Sequence, residues 1–491
     1  MHFAALPDVR AGIFPADPCL ADDLRRITNG EFLDLVRKYA DRLSKAGIGY
    51  GDVIAVMLPN RLELIVALFA AWRLGAAATP VNPSLTPAEV RYQLNDAHAR
   101  VVVCADDGES GDVDVPPRLS VPELDRHEGR AGGVDATEFS DDTLALIIYT
   151  SGSTGSPKGV ELTHANIMAM AETMVASMRL TADDHSLLIL PLFHVNGIVV
   201  SVLSPLLAGG RTTVAGRFSP QTFFEKLEAA RPTYFSAVPT IYALLSALPL
   251  SVRPDTSSVR FALCGAAPMP VELLVRFEER YRIPIYEGYG LSEATCASAS
   301  NPLDGVRKPG TVGIALPGQE IAVVDSDGTF RTDGSAGEVV IKGPTVMRGY
   351  LGRPEETAKV IVDGWLHTGD IGRIDTDGYL TLVDRVKDMI IRGGENISPK
   401  EIESAIYTHP EVFEAAVIGR PHPVYGEVPV AFVCYRDGTA VEPEQMLEHL
   451  RKSLAKYKLP ELIVTVDEIP KNPVGKIDKP TLRARSVEAR L

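Results

Sequence analysis

Eleven residues, Tyr149-Thr-Ser-Gly-Ser-Thr-Gly-Ser-Pro-Lys-Gly159, hold three glycines, three serines, two threonines and one lysine. Glycines let successive backbone N–H groups turn toward one anion, hydroxyls add donors, and Lys158 brings a positive charge. That is the chemistry of a phosphate cradle. It is not of the Walker type, which needs a glycine just before the lysine, where Pro157 stands. Gly/Ser/Thr tracts also serve as slack linkers, but a linker joins separate units. This tract runs from the apolar Leu144–Ile148 into a second apolar run, Val160-Glu-Leu162, followed by a helical stripe of Ile167, Met170, Met174 and Met178. A second cluster, Glu287-Gly-Tyr-Gly-Leu-Ser-Glu-Ala294, offers an aromatic ring, a hydroxyl and a carboxylate in Tyr289, Ser292 and Glu293. Such a trio can stack a base, hold a phosphate oxygen and ligate Mg²⁺. Asp370, ending Trp365-Leu-His-Thr-Gly-Asp370, has the carboxylate a ribose diol requires. Arg385 and Lys387 in Asp384-Arg-Val-Lys-Asp388, the run Arg392-Gly-Gly-Glu-Asn396, and a late Lys476 complete the set.

The elements that must position these groups alternate. A helical stretch (Phe32, Leu33, Leu35, Val36, Ala40, Leu43), the run Val53–Leu58, a second helix (Leu62, Ile65, Val66, Leu68, Phe69) and a strand at Val101–Cys104 give a βαβ rhythm. It resumes at Ser186–Leu190, Thr233–Val238 and Val259–Leu263, so the fold class is α/β with a parallel sheet. From about Val312 the period falls toward two. Hairpins are predicted around Asp327-Gly328 and around Asp377-Gly378. Ser398-Pro399-Lys400-Glu401 is a strong helix start, and about a hundred residues beyond it suffice for a small α+β domain. The division is therefore 1–384, a large domain of α/β subdomains with a β-rich subdomain; a boundary segment at 385–388; and a small α+β domain, 389–491.

Composition narrows the field. The chain of 491 residues is 45% hydrophobic and 23% charged, an ordinary globular balance. A net charge of −15, with no Lys/Arg block, argues against nucleic acid as partner and makes a local positive trap necessary for any anionic ligand. Five scattered cysteines, without a CxxC pair, fit a reducing compartment rather than a disulfide framework or a zinc site. The start, Met-His-Phe-Ala-Ala-Leu-Pro-Asp, lacks a signal peptide, and Gly197–Gly210 is too short and too interrupted to span a bilayer, so a cytoplasmic protein without integral membrane association is expected. Neither G-x-S-x-G nor H-E-x-x-H occurs, which disfavours hydrolases.

Taken together and in this order, the motifs resemble the adenylate-forming superfamily of acyl-CoA synthetases, luciferases and peptide-synthetase adenylation domains, from about Phe32 to Leu482. The resemblance implies that a carboxylic acid attacks the α-phosphate of ATP, releasing pyrophosphate, and that a thiol, coenzyme A, then opens the acyl-adenylate. It assigns Thr150, Ser151, Ser153, Thr154 and Lys158 to the phosphate loop; Gly265, Ala266 and Ala267 to the adenine pocket, with Tyr289 on the base; and Asp370 and Arg385 to the ribose. Ser292 is implied at the α-phosphate, Glu293 at Mg²⁺, Lys476 at carboxylate and phosphate, and His194 as a gate to the acyl cavity. Lys387 stands at the implied hinge, about which the small domain turns to withdraw Lys476 and present Arg392–Asn396 to the incoming thiol.

The same resemblance puts the acyl cavity among His194–Gly197, Val238–Thr240, Gly265–Ala267 and Gly288–Ala297, where small uncharged residues suit a neutral, mainly apolar acid. PLFHVNG and NPLDGVRKPGTVG are similar to malonyl-CoA synthetases, but the arginine expected just ahead of the motif tyrosine is Gly288, which disfavours a second carboxylate. Arg420, Lys456 and Lys458 are cations in the domain that would meet coenzyme A. A carrier-protein ligase, an enzyme of one half-reaction and a non-catalytic nucleotide-binding regulator are the alternatives; the presence of Glu293 and Lys476 tells against the last. Oligomeric state is not legible. If Lys476 serves the first half-reaction, Lys476→Ala lowers adenylate formation far more than thioester formation from supplied acyl-adenylate; equal losses in separately assayed half-reactions refute the assignment.

Overall fold

The computed structural model describes residues 2–105, 116–125, 136–150, 157–325, 327–385, 388–393, 395–436, 438–471 and 477–488. Ser151, Ser153, Thr154, Lys387 and Lys476 lie outside the described residues. The alternation read from the sequence becomes two extended sheets. One has nine strands, and its inner members, Ile285–Tyr289, Phe261–Cys264, Tyr234–Ala237, His185–Leu188, Arg211–Val214 and Pro18–Ala21, are paired in parallel. The other has seven, with Leu144–Thr150, Ala77–Pro80, Val53–Met57, Val101–Cys104 and Arg118–Ser120 in parallel. Ala77–Pro80, all four residues buried, was not anticipated, because Ala-Ala-Thr-Pro carries little strand propensity and is held by its neighbours' ladders instead.

Helix starts follow local chemistry. Thr28 with Glu31, Thr86 with Glu89 and Thr163 with Asn166 close reciprocal capping boxes on the helices Asn29–Lys45, Pro87–Asp96 and His164–Met178. The helix Leu62–Arg73 is buried along its whole length, and its Trp72 donates from Nε1 to the Ala145 carbonyl at 2.9 Å. The weakly polar stretch after His194 is a short helix, Val195–Ile198, then one wide π-type turn, Val199–Leu203, then Ser204–Leu207, all within the main core. No helix among the described residues is long and apolar enough to cross a membrane.

A third, antiparallel sheet holds Glu320–Val324, Gly337–Lys342, Ile361–Val362, Trp365–Ile374 and Leu380–Arg385. The Asp377-Gly378 hairpin forms as expected, joining its last two strands. At Asp327-Gly328 the chain turns back, but only a single bridge, Val324 to Phe330, follows, and the strand's full partner is Gly337–Lys342. The turn is closed by backbone bonds, Asp325 N–H to Thr329 O at 3.0 Å and Arg331 N–H to Val323 O at 2.8 Å, and Thr329 N–H is also drawn onto the Asp325 and Asp327 carboxylates. After it, Glu395–Ile397, Ile390–Arg392, Gly426–Tyr435, Val412–His422 and Leu462–Thr465 build a separate five-stranded sheet backed by the helices Pro399–Tyr407 and Pro443–Leu450.

The N-terminal helix Leu6–Ile13 is fastened by Arg10, whose guanidinium is buried and donates to Asn29 Oδ1 at 2.8 Å, Leu206 O at 2.6 Å and Gly210 O at 2.8 Å. Removing it leaves three buried acceptors without their donor. Arg10→Ala should destabilise by about 2–4 kcal/mol, read as a fall of about 2–5 °C in the thermal midpoint of a chain this long; an unchanged midpoint contradicts the anchoring role.

Candidate active site

The glycine-rich tract joins two antiparallel strands, Leu144–Thr150 and Lys158–Thr163, with Thr150 opposite Lys158 and Tyr149 opposite Gly159. Both limbs are pinned. Tyr149 donates to Asp96 Oδ2 at 2.7 Å, and Tyr92 donates to the Pro157 carbonyl at 2.9 Å. On the open side of the second strand, Gly349–Tyr350 adds antiparallel, Leu351 N–H reaching Gly159 O at 2.8 Å and Arg348 N–H reaching Glu161 O at 3.0 Å. Gly159 admits this approach because it lacks a side chain; a Cβ there would lie 2.9 Å from Ile147 Cγ2 and 3.3 Å from Leu351 Cβ. Two further clamps hold the edge. Arg348 forks onto both Glu161 carboxylate oxygens at 2.7 and 3.1 Å, and Asn166 donates to the carbonyls of Pro344 and Val346 at 2.8 and 2.9 Å.

That edge brings Tyr350 to the functional groups. Lys158 lies over its ring at 4.9 Å, and its hydroxyl donates to Glu293 Oε1 at 3.0 Å. Burial and the adjacent Glu293 carboxylate raise the Tyr350 pKa, so it remains a neutral donor. Lys158 also pairs with Glu356, and Arg353 pairs with Glu356 at 3.2 Å while donating to Tyr92 at 2.7 Å. The cation thus starts out neutralised, and an incoming anion must compete with Glu356.

Glu293 stands on a single helical turn, Ser292–Ala294, just past the strand Ile285–Tyr289. The chain is bent hard there. Thr295 and Cys296 adopt φ of +57° and +114°, and a Cβ on Gly290 would sit 1.8 Å from Cys296 O. Thr295 Oγ1 to Thr345 O at 2.5 Å, Cys296 N to Leu291 O at 3.1 Å and Met347 N to Glu293 O at 2.8 Å hold the bend. Asn196, two residues beyond His194, lies against the Cys296 thiol, whose pKa burial pushes up to about 12. His194 itself begins the helix Val195–Ile198, its ring 4.7 Å from Phe193.

The groups assigned to base and sugar also converge. Tyr289 donates to Asp370 Oδ2 at 2.7 Å, both residues being buried, and Asp370 faces Arg385 across the backbone ladder. Gly265, at the carboxyl end of the parallel strand Phe261–Cys264, is 3.5 Å by its notional Cβ from the Gly288 carbonyl. Ala266 and Ala267 beside it are exposed, and Ala266 holds φ +68° without being glycine. Crevices outside the carboxyl ends of parallel strands are where open α/β sheets bind ligands.

Sequence reasoning missed Tyr350, Arg353, Glu356 and Tyr92. They lie in segments without a phosphate-binding composition, and only the pairing of a two-residue strand brings Tyr350 and its followers to Lys158. Among the described residues no group of three or more His, Cys, Asp or Glu could hold a metal. A single carboxylate at Glu293 fits Mg²⁺, which takes one or two protein carboxylates and completes its shell with phosphates and water.

Residues 8–351 match the family described as AMP-binding enzyme, and residues 401–476 match the AMP-binding enzyme C-terminal domain. The chain is 37% identical to an oxalate–CoA ligase of Arabidopsis thaliana, over 92% of each chain, and 36% identical to a feruloyl-CoA synthase of Amycolatopsis sp, over 98% of each. The crystal structure of ATP-bound MatB from Rhodopseudomonas palustris superposes with a TM-score of 0.91 at 32% identity, covering 100% of both chains. Matched in both its large and small parts and along nearly its full length, the chain belongs to the family of AMP-binding enzymes, the adenylate-forming superfamily.

Proposed function

We infer that this chain is an ATP-dependent carboxylate–CoA ligase acting on a neutral, mainly apolar acid. The observation that carries the reading is the convergence of Lys158 and Glu293 on Tyr350, a cation and a magnesium-type carboxylate held side by side at the end of a glycine-rich hairpin. In the first step a carboxylate oxygen of the acid bonds to the α-phosphorus of ATP while the bond to the β-phosphate oxygen breaks, and pyrophosphate leaves. Lys158 and the backbone and hydroxyl donors of Thr150, Ser151, Ser153 and Thr154 meet the charge that develops on the departing group, and Ser292 meets the α-phosphate. Glu293 would hold Mg²⁺, which supplies charge neutralisation at the phosphates. Tyr289, Asp370 and Arg385 orient base and ribose, Gly265, Ala266 and Ala267 border the adenine, and Lys476 steadies the reacting carboxylate. In the second step the thiol sulfur of coenzyme A attacks the acyl carbon, the acyl–phosphate bond breaks, and AMP leaves.

Only one site serves both steps, so the small domain, 389–491, turns about 385–388 against the large domain, 1–384. Exchange of Lys476 for Arg392–Asn396 follows from that turn.

For the acid, relatives named for oxalate and for ferulate leave the choice to this chain's own residues. Gly288 offers no cation, and a Cβ there would already lie 3.2 Å from Ala299 O. On the resemblance, His194 gates the acyl cavity, whose expected border is glycine, alanine and the neutral pair Asn196 and Cys296. A second carboxylate entering it would be desolvated without a partner. A cytoplasmic setting is supported by five free cysteines, four of them buried.

The test is a panel of alkyl, branched, cyclic and aryl acids together with malonate and oxalate, supplied with ATP, Mg²⁺ and coenzyme A, following pyrophosphate and thioester separately. At least one neutral acid should exceed both dicarboxylates about tenfold in kcat/KM; preference for a dicarboxylate overturns the acid class, pyrophosphate without thioester points to a carrier protein as the thiol, and no pyrophosphate with any acid refutes the ligase. Glu293→Gln should lower pyrophosphate release about a hundredfold and raise the Mg²⁺ concentration for half-maximal rate; an unchanged Mg²⁺ dependence removes Glu293 from the metal.

A further inference from the structure

The strand Leu380–Arg385 belongs to the third sheet of the large unit, and Ile390–Arg392 to the sheet of the small one. Contacts nevertheless cross the junction. Ser398, which caps the helix Pro399–Tyr407, has its hydroxyl 3.0 Å from Val383 O and 2.8 Å from Asp384 Oδ2. Lys400, in the first turn, donates from its backbone to Asp384 Oδ2 at 3.1 Å and from its ammonium to Leu382 O at 2.6 Å. Around that ammonium stand the carboxylates of Asp384, Glu287 and Glu403. An ammonium at the N-terminal end of a helix opposes the helix dipole, so its place there needs another reason.

Glu287 supplies one. It is buried on the strand Ile285–Tyr289, two residues before Tyr289, and accepts from Gly310 N–H at 3.1 Å. Burial pushes its carboxyl up to about 7, against the pull of Lys400 and Arg307 and with the push of Glu278. Arg307 is already committed, donating to Glu278 Oε2 at 2.9 Å and to Ile285 O at 2.7 Å. The remaining cation facing Glu287 therefore arrives from the other unit. Lys400 is bonded to the third sheet through Leu382 O, and its ammonium, whose charged form burial disfavours, is within electrostatic reach of Glu287 on the nine-stranded sheet.

We propose that Lys400 is a positioning residue for the two-step reaction: docked on Leu382 O and Asp384, with the buried Glu287 nearby, it latches the small unit in this one arrangement and must let go once in every cycle. The proposal rests on the inferred alternation about 385–388. Leu382 to Asp384 lie on one side of that hinge and Ser398 to Lys400 on the other, so a turn about it pulls them apart. The latch favours one of two arrangements, and a change in its strength moves the two half-reactions against each other.

The experiment uses the full chain and an acid that it activates. Acid-dependent pyrophosphate release without thiol, and thioester formation from supplied acyl-adenylate with coenzyme A, are measured separately. Lys400→Met should move the two rates in opposite directions, changing their ratio about tenfold, and Lys400→Arg should return the ratio toward wild type. Glu287→Gln should shift it in the same sense as Lys400→Met, by a smaller factor. A structural defect slows both half-reactions in parallel, and that result, or an unchanged ratio, overturns the latch. Should Lys400→Met not fold, an unchanged ratio in Glu287→Gln overturns it alone. A wild-type chain that performs neither half-reaction overturns instead the ligase reading beneath it.

Discussion

The site depends on a short antiparallel pairing, Gly349–Tyr350 against Lys158–Thr163, that puts one phenol between an ammonium and a carboxylate. Lys158 lies on the seven-stranded sheet and Glu293 on the helical turn that follows a strand of the nine-stranded one, 135 positions apart, so nothing local fixes their separation. Tyr350 does so by offering its ring face to the cation and its hydroxyl to the anion, the two interactions a phenol can make simultaneously. Were the pair to meet directly, each would cancel the other's charge, the charges that the proposed assignment gives to phosphate and metal. Held apart by the phenol, Glu293 bonds to it through one carboxylate oxygen, and Lys158 is neutralised instead by Glu356.

Rigidity at this point comes from strain that is over-determined. Thr295 and Cys296 occupy backbone space that non-glycine residues avoid, and Gly290 is pressed against the Cys296 carbonyl where no side chain fits. Three hydrogen bonds, to Thr345 O, Leu291 O and from Met347 N–H, keep the bend. Catalysis by positioning needs such a frame, because an electrostatic group that must reorganise at the moment of reaction loses most of its value. Ala266 at +68° is a second strained point, on the exposed rim beside Gly265.

Against this stiffness, the junction between the large and small units is polar and small. Among the described residues, its hydrogen bonds are those of the capping Ser398 and of Lys400 to Asp384 and to the carbonyls of Val383 and Leu382. Such contacts can be exchanged with water at modest cost, whereas an apolar seam would hold the units in one arrangement. The two cores are accordingly separate, with Ile390, Ile402, Ile406, Val417 and Val433 packing within the small unit.

Much of this was legible in the residues alone. Periodicity marked central strands of the two large sheets, Val53–Met57, Val101–Cys104, His185–Leu188, Tyr234–Ala237 and Phe261–Cys264, and the Asp377-Gly378 hairpin, while short strands such as Pro18–Ala21, Arg118–Ser120 and Arg211–Val214 carried no such signal; capping residues marked helix starts such as Ser398, because these are properties of neighbouring residues. Ala77–Pro80 escaped, since a strand buried on both faces among parallel neighbours needs no propensity of its own. The Asp327-Gly328 turn was found but the full partner of Glu320–Val324 was not, since the turn is closed by bonds between near neighbours while pairing is decided across the sheet. Tyr350, Glu356 and Lys400 could not be assigned from sequence. Each acts on a group far along the chain, and which charge faces which, at what burial, is settled by packing of whole elements. Residue types and short-range spacing set which groups are available and which local turns carry them; their partners came from the packing of whole elements, because electrostatic interactions depend on distance and dielectric, and neither is encoded in spacing.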